Sequence, residues 1–419
     1  MTSTTGTDLL SVDAGRLLHH LRRLAEIGRD PAGGITRPGF SPGASRANDF
    51  VAEIARSRGL DARIDAGGNL LISHNAAPPT RPALLLGSHL DTVVNGGWLD
   101  GAYGVLAAVE VLLTLTEHDT DLHTDVVVAA FANEEGALFP QPFWGSMVLA
   151  GMIGDLPAAP TDYHGNPLSP ALQRAGGDLA NLASAAWPAS ALAGYLELHI
   201  EQGPVLAGEG AQIGVVDAIV GRTVLSVDLL GVAAHAGTTP MRSRRDPLVA
   251  AADLTMFVHQ LPDDGRTCQV ATVGRIEVEP NSANTVPGRA RLTVDLRATD
   301  PGRLDAADEA VRAYLHALDR RYGISHRCTL AVGSRPAVMA PTLRRAIRAA
   351  AADLGLRARD MNSGAGHDAQ IMATVTPAAM IFVPSIGGVS HVPDENSHDQ
   401  DLVTGAQVLL HAVHRLAAR

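Results

Sequence analysis

His89 and Asp91 stand two apart just beyond an apolar run, Ala83 to Gly87, so an extended backbone would turn both side chains the same way. Asp100 follows a loop containing Gly96 and Gly97 and immediately precedes a long apolar stretch. Glu134 and Glu135 follow a second apolar run, Val126 to Phe131. His199 and Glu201 repeat the alternating pattern in Glu197-Leu198-His199-Ile200-Glu201-Gln202-Gly203, and His367-Asp368, His391 and His398 stand toward the C-terminus. Imidazoles and carboxylates hold divalent cations such as zinc, and a carboxylate left free beside them can serve as a general base. Each fragment alone has a plainer reading. His-x-Asp is a common hydrogen-bonded surface pair, Asp100 is a natural helix cap, and adjacent glutamates suit a solvated face. Together, at the ends of strongly apolar strands, they would be costly unpaired charges. A pair of divalent metals is the most direct way to neutralise them.

The elements that must position these residues follow from periodicity. Leu17, Leu18, Leu21, Leu24 and Ile27 recur at helical spacing. Ala83 to Gly87 and Val126 to Phe131 read as buried strands, with Gly101 to Thr116 as an apolar helix between them. Buried strands alternating with helices predict an α/β sheet covered on both faces, whose ligands bind beyond the carboxyl ends of the strands. Residues 156–193, rich in Ala, Pro and Gly, read as a long connection with one helix. The pattern changes after Val220: Thr223 to Leu229 alternates, Pro247 to Leu261 is helical, and Val270 to Val278 and Arg289 to Arg297 read as half-buried strands. Leu343 to Leu354 returns to helix, Ala378 to Val383 to strand and Leu402 to Leu416 to helix. The expected organisation is a catalytic domain in two segments, 1–218 and 333–419, interrupted by a smaller α+β domain over 219–332.

At 419 residues the chain suits two domains, and its 46% hydrophobic and 18% charged residues suit a folded soluble enzyme. A formal charge of −11, with no block of basic residues, argues against nucleic acid as a partner. Met1 to Arg16 has no basic segment followed by an apolar run, so no secretory signal is expected. The longest apolar stretch contains Glu110 and is too short to span a bilayer. Cys268 and Cys328 read as two free thiols, and the cytoplasm is the expected location.

The motifs resemble the hydantoinase/carbamoylase group of dinuclear metallopeptidase-like amidases, which includes allantoate amidohydrolases and N-carbamoyl-L-amino-acid hydrolases. The resemblance is carried by Gly87-Ser88-His89-Leu90-Asp91-Thr92-Val93, Gly96-Gly97, Leu99-Asp100-Gly101, Glu134-Glu135-Gly136 and Phe143-Trp144-Gly145-Ser146. It continues through the Glu197 to Gly203 segment, Gly214-Val215-Val216 and His235-Ala236-Gly237-Thr238-Thr239-Pro240-Met241. Pro280-Asn281, Asn284-Thr285-Val286-Pro287-Gly288, the Ser363 to Ala369 segment and Ser390-His391 complete it, so it covers nearly the whole chain. The resemblance implies that Asp100 bridges two metals, with His89 and His199 completing one and Glu135 and His391 the other. It implies Glu134 as general base and Asp91 as the residue that orients His89 through its other ring nitrogen. His367 and His398 are rival terminal ligands, and the family pattern favours His391. His235 resembles the residue that steadies the oxyanion, while Gln202, Asn284 and Arg297 look like substrate-binding groups. Arg297 can hold a carboxylate through its planar fork. Zinc suits the donors, with manganese, cobalt or nickel as alternatives.

The implied reaction cleaves a ureido or carbamoyl C–N bond of a small carboxylate substrate, releasing ammonia and carbon dioxide. Phe139-Pro140 with Phe143 to Ser146 looks closer to allantoate amidohydrolases, whereas Asn133, Asn362 and Val392 depart from the usual pattern. A metallo-dipeptidase, an N-acyl-amino-acid hydrolase or a non-catalytic binding protein on the same fold are the alternatives. The resemblance further implies a homodimer in which the inserted domain lends His235 and Asn284 to the partner's site, with closure between the domains completing it.

Overall fold

The computed structural model describes residues 10–74, 81–154, 156 and 159–418. Of the stretch expected to lack a secretory signal, residues 1–9 lie outside the described residues, as do 157 and 158 of the expected long connection. The chain divides into two compact units, one running to Asp217 and resuming at Met339, the other Ala218–Val338.

Four parallel strands form the centre of the first unit: Ala83–His89, Asp125–Phe131, Leu192–Ile200 and Ala378–Val383. All seven residues of Ala83–His89 and all six of Ala378–Val383 are buried, which is why these segments read as unbroken apolar runs. Antiparallel neighbours extend the sheet on both sides: Leu70–Ser73 then Asp61–Ile64 beyond Asp125–Phe131, and Ile213–Ile219 beyond Ala378–Val383. Helix Ala102–Glu117 lies buried along almost its whole length among these strands and the C-terminal helix Asp399–Ala417, where the Tyr103 hydroxyl donates to the Leu402 carbonyl at 2.7 Å. Its one buried charge, Glu110, accepts the Asp13 amide and the Arg16 guanidinium (Nε at 2.7 Å), latching the first helix, Ala14–Leu24, to the core. That helix ends one turn earlier than the Leu-Ile spacing predicted, because Gly28 turns the chain at φ +87°.

Two long helices lie outside the sequence-based expectations, Pro42–Arg56 and Pro301–Tyr322, as do short ones at Trp144–Leu149, Val205–Glu209 and Asp368–Met372. The expected long connection also holds more structure than one helix, namely Leu168–Arg174 and a 3₁₀ segment Leu179–Ala185, before Leu192 opens a central strand.

The second unit is a four-stranded antiparallel sheet, ordered Ser325–Ser334, Gly221–Leu230, Arg289–Ala298, Val270–Glu279, with helices Pro247–Gln260 and Pro301–Tyr322 packed on its apolar face. Arg289–Ala298 alternates strictly between buried and half-buried residues, as a strand covered on one face should. Both cysteines belong to this unit and are free thiols. Among the described residues no helix is long and apolar enough to cross a membrane.

Candidate metal centre

Every parallel strand of the first unit delivers a polar group at its carboxyl end, where side chains leave the apolar sheet and can converge. Ala83–His89 ends on His89 itself, Asp125–Phe131 leads to Glu134 and Glu135, and Leu192–Ile200 carries His199 and leads to Gln202. Ala378–Val383 leads to the loop bearing Ser390, His391 and Glu395.

Asp100 stands at the centre of the cluster and is buried. Its Oδ1 lies 3.1 Å from His199 Nε2 and 3.5 Å from His89 Nε2, and its Oδ2 lies 3.1 Å from His391 Nε2. His391 Nε2 is also 3.4 Å from Glu135 Oε1. The ligand atoms of His89, Asp100 and His199 lie within 4.8 Å of one another, as do those of Asp100, Glu135 and His391. Donors about 2.0–2.2 Å from a tetrahedral cation sit roughly 3.3 Å apart, so these separations fit a metal in each group. Asp100 does not cap the helix it precedes; the N-cap is Gly101, at φ +63°, and a Cβ there would come within 2.5 Å of the His89 ring.

The electrostatics have the same shape. Burial works against the Asp100 carboxylate, but hydrogen bonds from His199, His391 and His89 hold it well below the usual range. Hydrogen bonding to Asp100 raises His391 to about 9. Burial, with Asp100 nearby, pushes Glu135 up to about 7, and burial drives Glu134 well above its ordinary value. A bound dication would reverse that balance and favour both carboxylates in their charged form.

Glu134 Oε2 is 3.7 Å from His89 Nε2, within the cluster but facing only one of its histidines. Asp91 meets His89 Nδ1, the ring nitrogen through which it was expected to orient His89, with its carbonyl oxygen at 2.9 Å and its carboxylate Oδ1 at 3.9 Å, and the same carboxylate accepts the amides of Glu134 (3.1 Å) and Glu135 (3.2 Å). Asp91 therefore holds the backbone of the glutamate pair, and its main chain orients the histidine. Gln202, at φ +59°, donates its amide to Asp100 Oδ2 at 2.8 Å, and its own Oε1 is buried without a hydrogen-bond partner. His367 is buried, packs edge-on against the His199 ring and meets the Ser363 hydroxyl at 2.9 Å. His398 precedes the C-terminal helix as its N-cap residue.

Two buried groups, Arg37 and Glu395, escaped the sequence-based reading, and Asn133 gains a structural reason for its departure. Arg37 is buried and donates Nε to the Leu90 carbonyl at 2.6 Å, bracing the turn between His89 and Asp91; burial pushes its pKa down to about 10. Glu395 is buried against the loops of Asp100 and His391. Asn133, which departs from the family's usual acid, donates its amide to the carbonyls of Phe139 (3.2 Å) and Gln141 (2.8 Å), a task no carboxylate could perform.

The remaining predicted site residues belong to the second unit. His235 is exposed, and its Nδ1 accepts the amides of Gly237 (3.0 Å) and Thr238 (3.2 Å), which leaves the proton on Nε2. It pairs across a short ladder with Thr285, beside Asn284. Arg297 points its Nε at Asp295 Oδ1 (3.1 Å), and Arg222 shares the same carboxylate.

The sequence model of peptidase family M20/M25/M40 matches residues 85–415. An N-carbamoyl-L-amino acid amidohydrolase of Geobacillus stearothermophilus is 37% identical over 97% of this chain and 99% of its own length. An allantoate amidohydrolase of Escherichia coli K12 is 38% identical over 94% and 96%. The crystal structure of a hydantoinase/carbamoylase-family amidase from Burkholderia multivorans superposes with a TM-score of 0.89 at 34% identity, covering 98% of this chain and 99% of that one.

Proposed function

From the premise that this chain belongs to peptidase family M20/M25/M40 and is an amidohydrolase, we propose that it hydrolyses a ureido C–N bond of a small carboxylate substrate at two divalent cations sharing Asp100. The observation that carries this reading is the division of one buried carboxylate: its Oδ1 faces His89 and His199, and its Oδ2 faces His391 beside Glu135. Two dications held there would supply Lewis acidity toward the ureido carbonyl and a water of lowered pKa. Zinc suits the mixed imidazole and carboxylate donors, and manganese, cobalt and nickel use the same donors.

The chain's own groups divide the remaining work. Glu134 takes the proton of the attacking water and returns it to the leaving nitrogen. Asp91 keeps Glu134 and Glu135 aimed by holding both their amides. The buried, unpartnered Oε1 of Gln202 suits an N–H of the ureido group. Hydrolysis gives the amine and carbamate, which breaks down to ammonia and carbon dioxide. The relatives leave two substrate classes, allantoate and N-carbamoyl-L-amino acids, and identities of 38% and 37% do not divide them.

In the second unit, Arg297 is the proposed carboxylate holder, its fork exchanging Asp295 for substrate, and His235 with its Nε2–H is the proposed oxyanion donor beside Asn284. The unit's outer strands expose Val270 and Ile276 on one edge and Leu330 and Val332 on the other, which supports a homodimer formed through this unit.

Metal analysis tests the shared carboxylate. Asp100→Ala should lose both cations, whereas His199→Ala should keep one. Retention of two full equivalents by Asp100→Ala would remove the basis of the proposal.

A further inference from the structure

Glu395 serves two loops with one side chain. Its Oε1 accepts the amides of Leu99 and Asp100, each at 3.0 Å, and its Oε2 accepts the Ser390 hydroxyl at 2.6 Å and the His391 amide at 3.3 Å. The side chain is 1% exposed, and a Cβ on Gly97 would fall 2.0 Å from Oε1, so the glycine loop closes directly over it. His391 takes the left-handed backbone at φ +62°, an uncommon conformation outside glycine, and its amide there is held by Glu395. Asp100 and His391, 291 positions apart by subtraction of their numbers, thus meet at 3.1 Å through a common anchor beneath both.

We infer that Glu395 is a positioning residue that couples the shared ligand Asp100 to the terminal ligand His391, so that the cation using Glu135 and His391 depends on Glu395 more than the cation using His89 and His199 does. This inference rests on the two-cation reading above. The asymmetry follows from the anchor's hydrogen bonds. His89 and His199 sit on the central strands Ala83–His89 and Leu192–Ile200, and their ring Nδ1 atoms meet the carbonyls of Asp91 and Ile200, each at 2.9 Å. His391 sits in a loop, half exposed, and its main-chain amide is held by Glu395.

Glu395→Gln separates the two loops. One amide oxygen can still accept the Leu99 and Asp100 amides. The NH2 end then faces Ser390, whose hydroxyl can turn to accept, and the His391 amide, which cannot. The substitution spares the Asp100 loop and releases His391. Groups that orient ligands in this way typically change metal affinity about 10–100-fold.

The test follows release of metal to a chromogenic chelator from wild type and Glu395→Gln, with the melting temperature of the stripped proteins measured alongside. The expected result is two phases in wild type. In the variant one phase should be at least about tenfold faster and the other unchanged, with equal melting temperatures of the stripped forms. Excess metal should restore the faster-leaving equivalent. Equal acceleration of both phases with a lowered melting temperature would make Glu395 a general structural anchor and overturn the inference, as would unchanged release. If wild type holds a single equivalent, the two-cation reading fails by itself. Glu395 is then judged on that one phase: acceleration with an unchanged melting temperature supports the positioning role, and no change contradicts it.

Discussion

Glu134 and Glu135 are neighbours in sequence with different surroundings: both come within 4.8 Å of the His89 ring, but Glu135 also faces His391 beside Asp100, whereas Glu134 pairs with His89 at 3.7 Å. In the proposed mechanism Glu135 holds metal and Glu134 transfers the proton. Glu134→Gln keeps the shape but accepts no proton, so turnover should fall by about a hundredfold or more with metal content unchanged. Steady-state rates with metal analysis check this, and near-normal turnover would place the base elsewhere. Among the proposed donors, His89, Asp100, Glu135 and His199 were legible as candidates because they stand beside apolar runs, whereas His391 was set apart from His367 and His398 only by the family resemblance. Asp91 was legible as a partner of the His89 ring but not in its second contact, since its carboxylate also reaches the Glu134 and Glu135 amides across strands. Arg37 and Glu395 gave no signal, because they act on main-chain groups of segments remote in sequence, 296 positions apart for Glu395 and Leu99.

At the scale of elements, the junction of the strand Ala83–His89 and the helix Ala102–Glu117 is the tightest constraint. Gly101 begins that helix at φ +63° with the His89 ring over its Cα. Gly101→Ala adds both backbone strain and overpacking, and should cost about 2–4 kcal/mol while displacing His89. Chemical denaturation with metal analysis measures both effects; a loss under about 0.5 kcal/mol with full metal content would show that the junction yields freely. The fully buried strands and this helix were legible because their apolar runs are long. Helix Pro42–Arg56 was not, since its buried face is mostly alanine (Ala44, Ala47, Ala52, Ala55), which carries little hydrophobic contrast. Helix Pro301–Tyr322 carries its signals in the sequence: Asp300 caps it, Pro301 opens it, and Leu304, Ala307, Val311, Leu315 and Leu318 recur at helical spacing.

At the scale of the whole molecule, the proposed groups are split between the two units: the metal donors in the first, and His235, Asn284 and Arg297 in the second. The proposed dimer makes each site a product of two chains. Mixing inactive Glu134→Gln with inactive His235→Ala under subunit exchange should then restore one working site per heterodimer, about a quarter of wild-type activity at equal mixing with statistical exchange. Heterodimers that form and stay inactive would place His235 in its own chain's site or outside catalysis. The central claim, that the whole assembly cleaves ureido bonds, is tested most directly by ammonia release from the metal-supplemented protein. The panel sets allantoate and N-carbamoyl-L-amino acids against dipeptides and N-acetyl-amino acids. Ammonia is expected from at least one ureido substrate, abolished by chelation and restored by a divalent cation, with dipeptides and acetyl compounds cleaved at least about a hundredfold more slowly. Efficient cleavage of dipeptides or acetyl-amino acids, with no ammonia from any ureido substrate, would contradict it.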